Sequence, residues 1–171
     1  MRRLFALIPA VLLVCACSSS SDTGTEPAVD GGSSAQVQIS AACAADNRKD
    51  IYTQGLTKTA SDLSVIMTDS EFTPTGAAPV PGRVQKGMNT LTVQIEDASK
   101  APVAGATVTL ALIMPDHGHG SALTPKITDM GGGKYQVTNV WLSMAGLWRF
   151  TFNIVQNGQT KTTDFQFCVD G

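Results

Sequence analysis

The sequence WRFTFNI at residues 148–154 decides the fold of this chain. Large apolar side chains occupy every second position, and Arg, Thr and Asn lie between them. A period of two places alternate side chains on opposite faces, so the stretch predicts a β-strand with one buried face. The pair Asn157-Gly158 then gives a strong hairpin signal, and FQFCV at residues 165–169 alternates in the same way. The two stretches predict an antiparallel pair of strands.

The same alternation recurs along most of the remaining chain. It covers residues 63–67 (where Ile66 interrupts it), 91–95, 106–114 and 135–137, and turn-forming residues separate these stretches. No internal repeat occurs, and no helix is expected beyond a turn or two within Ala44–Gly55. We therefore predict an all-β fold, an immunoglobulin-like antiparallel β-sandwich of about seven strands.

The composition agrees with a packed domain that has no basic surface. The chain has 171 residues, of which 43% are hydrophobic and 15% are charged, against about 25% charged in an average soluble protein. We expect Trp148 and Trp141 to lie in the core. A formal net charge of −2 leaves no field that would attract phosphate, so no nucleic-acid partner is expected.

The N-terminus has the order of a signal peptide. Arg2 and Arg3 precede an uncharged apolar run at residues 4–16. These thirteen residues, at about 1.5 Å each, are too few to cross a hydrocarbon core of about 30 Å as a helix. They do fit the apolar core of a signal peptide behind its basic start. Residues 1–16 are therefore predicted to be a signal peptide.

The end of this run indicates the type of signal. VCAC at residues 14–17 resembles the lipobox of bacterial lipoproteins, and Cys17 fits as the lipidated residue because the small Ala16 precedes it. Lipidation at Cys15 would place the bulky Val14 in that position. An ordinary secretory signal with incidental cysteines is the alternative. Lipidation predicts a protein anchored in the cell envelope on the extracytoplasmic side of a membrane, in the periplasm or at the outer membrane.

Two further segments follow the signal. Residues 17–40 are rich in Ser and Gly and contain no aromatic side chain, so they cannot bury enough apolar surface to offset their ordering entropy. They are predicted to form a flexible tether. Residues 41–171 are long enough to bury a core and form the predicted domain. After removal of residues 1–16 the chain has ten basic and fourteen acidic side chains, a formal charge of −4.

Two cysteines lie near the ends of the predicted domain. Because an extracytoplasmic compartment permits disulfides, we predict that Cys43 and Cys168 are joined. Metal binding by the pair is the alternative, but neither residue has a His, Met or further Cys beside it in the sequence.

Both histidines of the chain fall within MPDHGHG at residues 114–120. His117 and His119 can be aimed at one point by a Gly-rich turn, and Met114 adds a thioether. Imidazole suits several transition metals, whereas a thioether favours Cu(I), so the set predicts copper as the cofactor. Met144, at the end of a later strand, is a candidate fourth ligand.

Two interpretations without metal also account for these residues. A Met in a strand usually fills core space, and paired His in a turn often only bond backbone carbonyls. We expect no enzyme, because the sequence has no G-x-S-x-G, H-E-x-x-H, P-loop or G-x-G-x-x-G motif.

Five segments together resemble the YtkA-like domain of the FixH family. They span about residues 60–155 and read GMNTLTV at 87–93, PVAGATV at 102–108, MPDHGHG at 114–120, GKYQV at 133–137 and MAGLW at 144–148. The resemblance implies a small envelope β-sandwich, with members linked to cation pumps and cytochrome-oxidase assembly and suspected of handling copper. FixH proteins with the assembly role have a transmembrane helix, whereas this sequence has a lipobox.

The leading functional hypothesis is therefore a lipid-anchored binding module that holds copper in the envelope. Its expected partners are the membrane, through the anchor, and an envelope membrane protein such as a cation pump or an oxidase-assembly factor. The alternative is a structural or protein-interaction module whose His-Gly turn shapes a contact surface without metal.

Overall fold

The structure, a computed structural model, describes residues 41–171. This part of the chain contains one short helix and ten strands, two of them only two residues long. The elements are α1 Ala41–Ala45, β1 Leu56–Ala60, β2 Leu63–Thr73, β3 Val80–Pro81, β4 Gly87–Glu96, β5 Thr107–Met114, β6 His119–Gly120, β7 Lys126–Asp129, β8 Lys134–Leu142, β9 Gly146–Gln156 and β10 Gln159–Val169. One or two helical turns were expected within Ala44–Gly55, but the helix α1 already ends at Ala45.

The strands form two antiparallel sheets, and their inward side chains share one hydrophobic core. One sheet has the order β1-β2-β4-β8-β7, with β3 also paired to β2, and the other has the order β10-β9-β5-β6. The predicted all-β sandwich is confirmed. The strand count exceeds the prediction because the short and outermost strands β1, β3, β6 and β7 bury too little of one face to show alternation.

The hairpin of β9 and β10 is the longest continuous pairing. It runs from Gln156↔Gln159 to Gly146↔Val169. Asn157 and Gly158 both have positive φ, 51° and 75°, which is the type I′ turn that matches strand twist. Inward rings of the two strands pack edge to face, which fills the core from this sheet.

A bulge explains why only one of the two tryptophans is in the core. Trp148 is fully buried, as predicted. In β8, Asn139 has a φ of 60° and the pairing with β4 shifts register there, so Val137 and Val140 both face inward although they lie three residues apart. Trp141 follows Val140 on the opposite face and is only partly buried. The prediction that Trp141 lies in the core is wrong.

Two buried polar side chains connect the strands to their loops. The Asn89 side chain accepts from the backbone N–H of Gln85 at 3.0 Å and donates to its carbonyl at 2.8 Å. The Tyr135 hydroxyl donates to the Val103 carbonyl and accepts from the Ala106 N–H, both at 3.0 Å. Burial raises the pKa of the Tyr135 phenol, which keeps it protonated as a donor.

The segment of residues 43–50, here called the N-terminal strap, is attached to β10 at both ends. Cys43 and Cys168 form the predicted disulfide, with their Cα atoms 5.4 Å apart. At the other end the Asp50 N–H donates to the Gln166 carbonyl at 2.6 Å, and the Gln166 N–H donates to the Asp50 carboxylate at 2.8 Å. The strap is therefore a fixed part of the domain.

Several sequence predictions concern residues outside the described range. The signal peptide, the tether at residues 17–40 and lipidation at Cys17 all fall there, and they stay predictions. Within residues 41–171, no helix has the length and hydropathy needed to cross a membrane.

We expect the disulfide to contribute much of the domain's stability. It closes a loop across 125 residues, for which the chain-entropy model gives an upper figure of about 5 kcal/mol, and losing a native disulfide from a small secreted domain costs roughly 2–5 kcal/mol. Replacing Cys43 and Cys168 together by Ser should lower the free energy of unfolding in denaturant titrations by an amount in that range. Two thiols open to alkylation in the native, unreduced protein would contradict the prediction.

Candidate metal site at the His hairpin

The MPDHGHG stretch forms a tight hairpin, here called the His hairpin, of residues 114–120. Strand β5 ends at Met114 and β6 begins at His119, and these two residues are direct cross-strand partners. The Met114 carbonyl accepts the N–H groups of His117 at 3.2 Å and Gly118 at 2.9 Å, which closes the turn. The local sequence thus brings the thioether-bearing residue and one imidazole-bearing residue opposite each other.

The pairing also decides which way these side chains point. Met114 faces inward and is 1% exposed, and directly opposed residues share a face of the sheet, so His119 projects to the inner side at the sheet edge. The His119 ring meets Trp148 nearly perpendicularly, with centroids 6.0 Å apart. The His117 ring is exposed, and its centroid lies 5.8 Å from the centroid of the His119 ring. The two imidazoles are therefore neighbours beside a buried indole.

The turn that precedes β9 reaches the same end of the sandwich. The Trp148 Nε1–H donates to the Met144 carbonyl at 3.0 Å. Gly146 has a φ of 126°, and a Cβ atom there would lie 2.9 Å from the Met114 Cε methyl group. Glycine at this position thus makes room for Met114. The structure brings the backbone of the Met144 turn to the site, while the Met144 side chain is 43% exposed.

His119 carries one backbone contact that bears on its chemistry. Its Nδ1 lies 3.1 Å from the Gly120 carbonyl oxygen. In the tautomer that carries the proton on Nδ1, this nitrogen donates to the carbonyl and Nε2 keeps a free lone pair. A metal-binding His commonly donates its second nitrogen to such an acceptor. The contact agrees with a histidine that only bonds a backbone carbonyl. It would equally orient the ring as a metal ligand.

An arginine from the strap holds the one carboxylate of the hairpin. Arg48 donates through Nη1 to Asp116 Oδ1 and through Nη2 to Asp116 Oδ2, both at 2.7 Å. The same guanidinium donates to Asp46 through Nε at 3.0 Å and Nη2 at 2.7 Å. Sequence reasoning missed Arg48, because 68 residues separate it from Asp116 and no local spacing signals the contact.

This ion cluster shifts the titration of all three of its members. The hydrogen bonds from Arg48 lower the pKa of Asp46 to about 2 and hold the pKa of Asp116 below its usual range. The two carboxylates in turn raise the pKa of Arg48. All three groups therefore stay charged across the physiological range.

The donors present fit a soft metal ion better than a hard one. Within residues 41–171, no group of three or more His, Cys, Asp and Glu side chains is placed to hold a metal. The His hairpin offers instead two imidazoles and a thioether, and its carboxylate is paired with Arg48. Imidazole and thioether together suit copper, above all Cu(I).

Comparison with known proteins agrees with part of the resemblance. The family model described as YtkA-like matches residues 75–153, which include the His hairpin, Met144 and Trp148. No curated protein and no solved structure shows significant similarity to the chain. The link to FixH proteins and the lipoprotein anchor stay predictions.

The ion cluster yields a prediction about acid pH. A carboxylate with a lowered pKa stabilises the fold above its ordinary pKa of 3.8, and this contribution is lost as the pH falls toward about 2. In carbon NMR titrations the Asp46 carboxyl should therefore titrate near 2, and in Arg48→Gln its pKa should rise toward 3.8. Identical titration curves for Asp46 in the two proteins would show that Arg48 does not cause the shift.

Proposed function

Because residues 75–153 form a YtkA-like domain, we propose that this chain is a lipid-anchored envelope module that binds one copper ion at the His hairpin. The observation that supports copper is the opposition of Met114 and His119 across the β5–β6 pair. It places the thioether-bearing Met114 and the imidazole-bearing His119 on one face of the sheet. The centroid of the His117 ring lies 5.8 Å from that of the His119 ring. Copper, when bound, would supply a redox-active soft cation.

We assign the ligand roles as follows. His117 and His119 provide nitrogen, and Met114 provides the sulfur that favours Cu(I) over Cu(II). Met144 is the proposed fourth ligand, because its carbonyl is already tied to Trp148 and its unbranched, exposed side chain has the freedom to turn toward the hairpin. The proposal includes no catalytic step, since such a donor set suits a carrier.

The anchor determines which partners are in reach. Lipidation at Cys17 would hold the domain at the extracytoplasmic face of a membrane by several acyl chains. A copper carrier there would exchange its ion with an envelope membrane protein, and the YtkA-like resemblance favours a cation pump or an oxidase-assembly factor. The formal charge of −4 on the mature chain disfavours nucleic acid and suits a cationic cargo.

A structural or interaction module without metal is the second candidate. Two observations favour it: Met114 is packed in the core, and His119 Nδ1 already has a backbone partner. Under this candidate the His hairpin is only a contact surface, and copper should not bind in stoichiometric amount. A titration with copper separates the two candidates.

For the anchor, we expect mass spectrometry of the mature chain to find a diacylglyceryl group on an N-terminal Cys17. Cys17→Ser should abolish the lipid and release the protein from the membrane fraction. Cys15→Ser is the matched control and should leave both unchanged. A mature N-terminus at any other residue would refute lipidation at Cys17.

For the metal, the chain purified in detergent should bind one Cu(I) against a chromophoric chelator. His117→Ala combined with His119→Ala should abolish Cu(II) binding, because no other pair of imidazoles exists in the chain. Met114→Leu nearly preserves volume and should cost less than about 1.5 kcal/mol of stability, yet weaken Cu(I) binding at least about tenfold.

Met130→Leu provides the control for the thioether. Met130 is 57% exposed in the loop between β7 and β8, so this variant should bind Cu(I) like the wild type. Unchanged Cu(I) affinity in Met114→Leu would restrict Met114 to a packing role. Unchanged copper binding in the double His variant would exclude the His hairpin as the site.

A further inference from the structure

The His hairpin contains four side chains with metal-binding chemistry, and within residues 41–171 only one of the four is hydrogen-bonded to another side chain. Met114, His117 and His119 have sulfur or nitrogen donors. The fourth, Asp116, has both carboxylate oxygens in a fork-to-fork contact with Arg48, each at 2.7 Å. A bidentate pair of this kind fixes the direction of both groups. The Asp116 oxygens thus face the N-terminal strap.

Arg48 is itself held from several sides. Its Nε and Nη2 donate to Asp46, and the Asp46 Oδ1 also accepts the backbone N–H of Arg48 at 2.9 Å. The strap that carries both residues is tied to β10 by the disulfide at Cys43 and by the paired hydrogen bonds at Asp50. The guanidinium is therefore presented to the hairpin in a preset direction.

We propose that Arg48 is a specificity-determining residue that keeps the Asp116 carboxylate out of the metal site and so makes the His hairpin selective for Cu(I) over Zn²⁺. The inference rests on the proposed copper function and names the feature that sets its selectivity. Carboxylate oxygen is a common Zn²⁺ ligand, whereas Cu(I) prefers sulfur and nitrogen. Withholding one oxygen donor therefore disfavours the divalent ion more than the monovalent one.

The charges act in the same direction. Arg48, Asp46 and Asp116 together carry one net negative charge, and removal of Arg48 would leave two beside the hairpin. A divalent cation gains about twice as much Coulomb energy from that change as a monovalent one at equal distance. Selectivity thus follows both from ligand type and from ion charge.

A purely structural role for the cluster predicts something different. The Arg48 and Asp116 side chains are 46% and 49% exposed, and exposed ion pairs stabilise folds only slightly. Loss of Arg48 should therefore leave the melting temperature close to that of the wild type. A change in the ratio of Zn²⁺ to Cu(I) affinity is the readout that a structural role would not produce.

The test compares variants of the full chain in detergent, with Zn²⁺ and Cu(I) each titrated against a chromophoric chelator. Arg48→Gln should raise the Zn²⁺ affinity at least about tenfold, while the Cu(I) affinity changes less than about threefold. Adding Asp116→Asn to Arg48→Gln should return the Zn²⁺ affinity to the wild-type value. Arg48→Lys keeps the charge without the planar fork and should give a smaller rise.

The outcomes separate this inference from the proposed function. A wild-type chain that binds no Cu(I) overturns both. Normal Cu(I) binding with unchanged Zn²⁺ affinity in Arg48→Gln overturns the selectivity role alone, and so does a rise in Zn²⁺ affinity that Asp116→Asn fails to reverse. If Arg48→Gln does not fold, Arg48→Lys with and without Asp116→Asn decides by the same comparison.

Discussion

The burial of Trp148 is the constraint on which the candidate site depends. Its ring is fully buried, and a buried indole N–H needs an acceptor, which the Met144 carbonyl supplies at 3.0 Å. The same ring meets the edge of the sheet at His119. One core side chain thus connects the turn before β9 with the His hairpin. The two motifs that are thirty residues apart in sequence share an end of the sandwich for this reason.

The sequence predicted those parts of the fold where one face is buried. Strands with strict alternation, such as β5, β9 and β10, were found with their inward faces correctly assigned, and Met114 is buried as that face requires. The short strands β1, β3, β6 and β7 escaped prediction because each buries too few side chains on one face for alternation to show. Trp141 was misplaced because a bulge at Asn139 shifts the inward face from Tyr135 and Val137 to Val140 and Leu142, so Trp141 lies on the opposite face.

The residues that carry the YtkA-like resemblance divide into two physical kinds. Asn89 and Tyr135 are buried side chains whose hydrogen bonds hold loops against strands, so their motifs report on the fold. The His hairpin and the Met144 turn instead contain His117, His119 and Met144, whose side chains lie outside the hydrophobic core. Arg48 lies outside the matched residues 75–153, yet it controls the carboxylate of the hairpin. Local sequence patterns reveal both of these kinds of residue. The contact of Arg48 with the hairpin spans 68 positions, so only the folded chain reveals it.

The position of Met114 explains why the buried candidate ligand is a thioether and the candidate ligands further out are imidazoles. It is the last inward residue of β5, where its methyl group fills the space beside Gly146. A thioether can be buried there at little cost because it has no obligatory hydrogen bond, whereas a buried imidazole would need partners for both nitrogens. The histidines accordingly lie one step outward, where the Gly120 carbonyl lies 3.1 Å from His119 Nδ1 and the His117 ring is exposed to solvent. A soft donor at the core boundary with nitrogen donors just beyond it is therefore the arrangement that packing and hydration permit at this end of the sandwich.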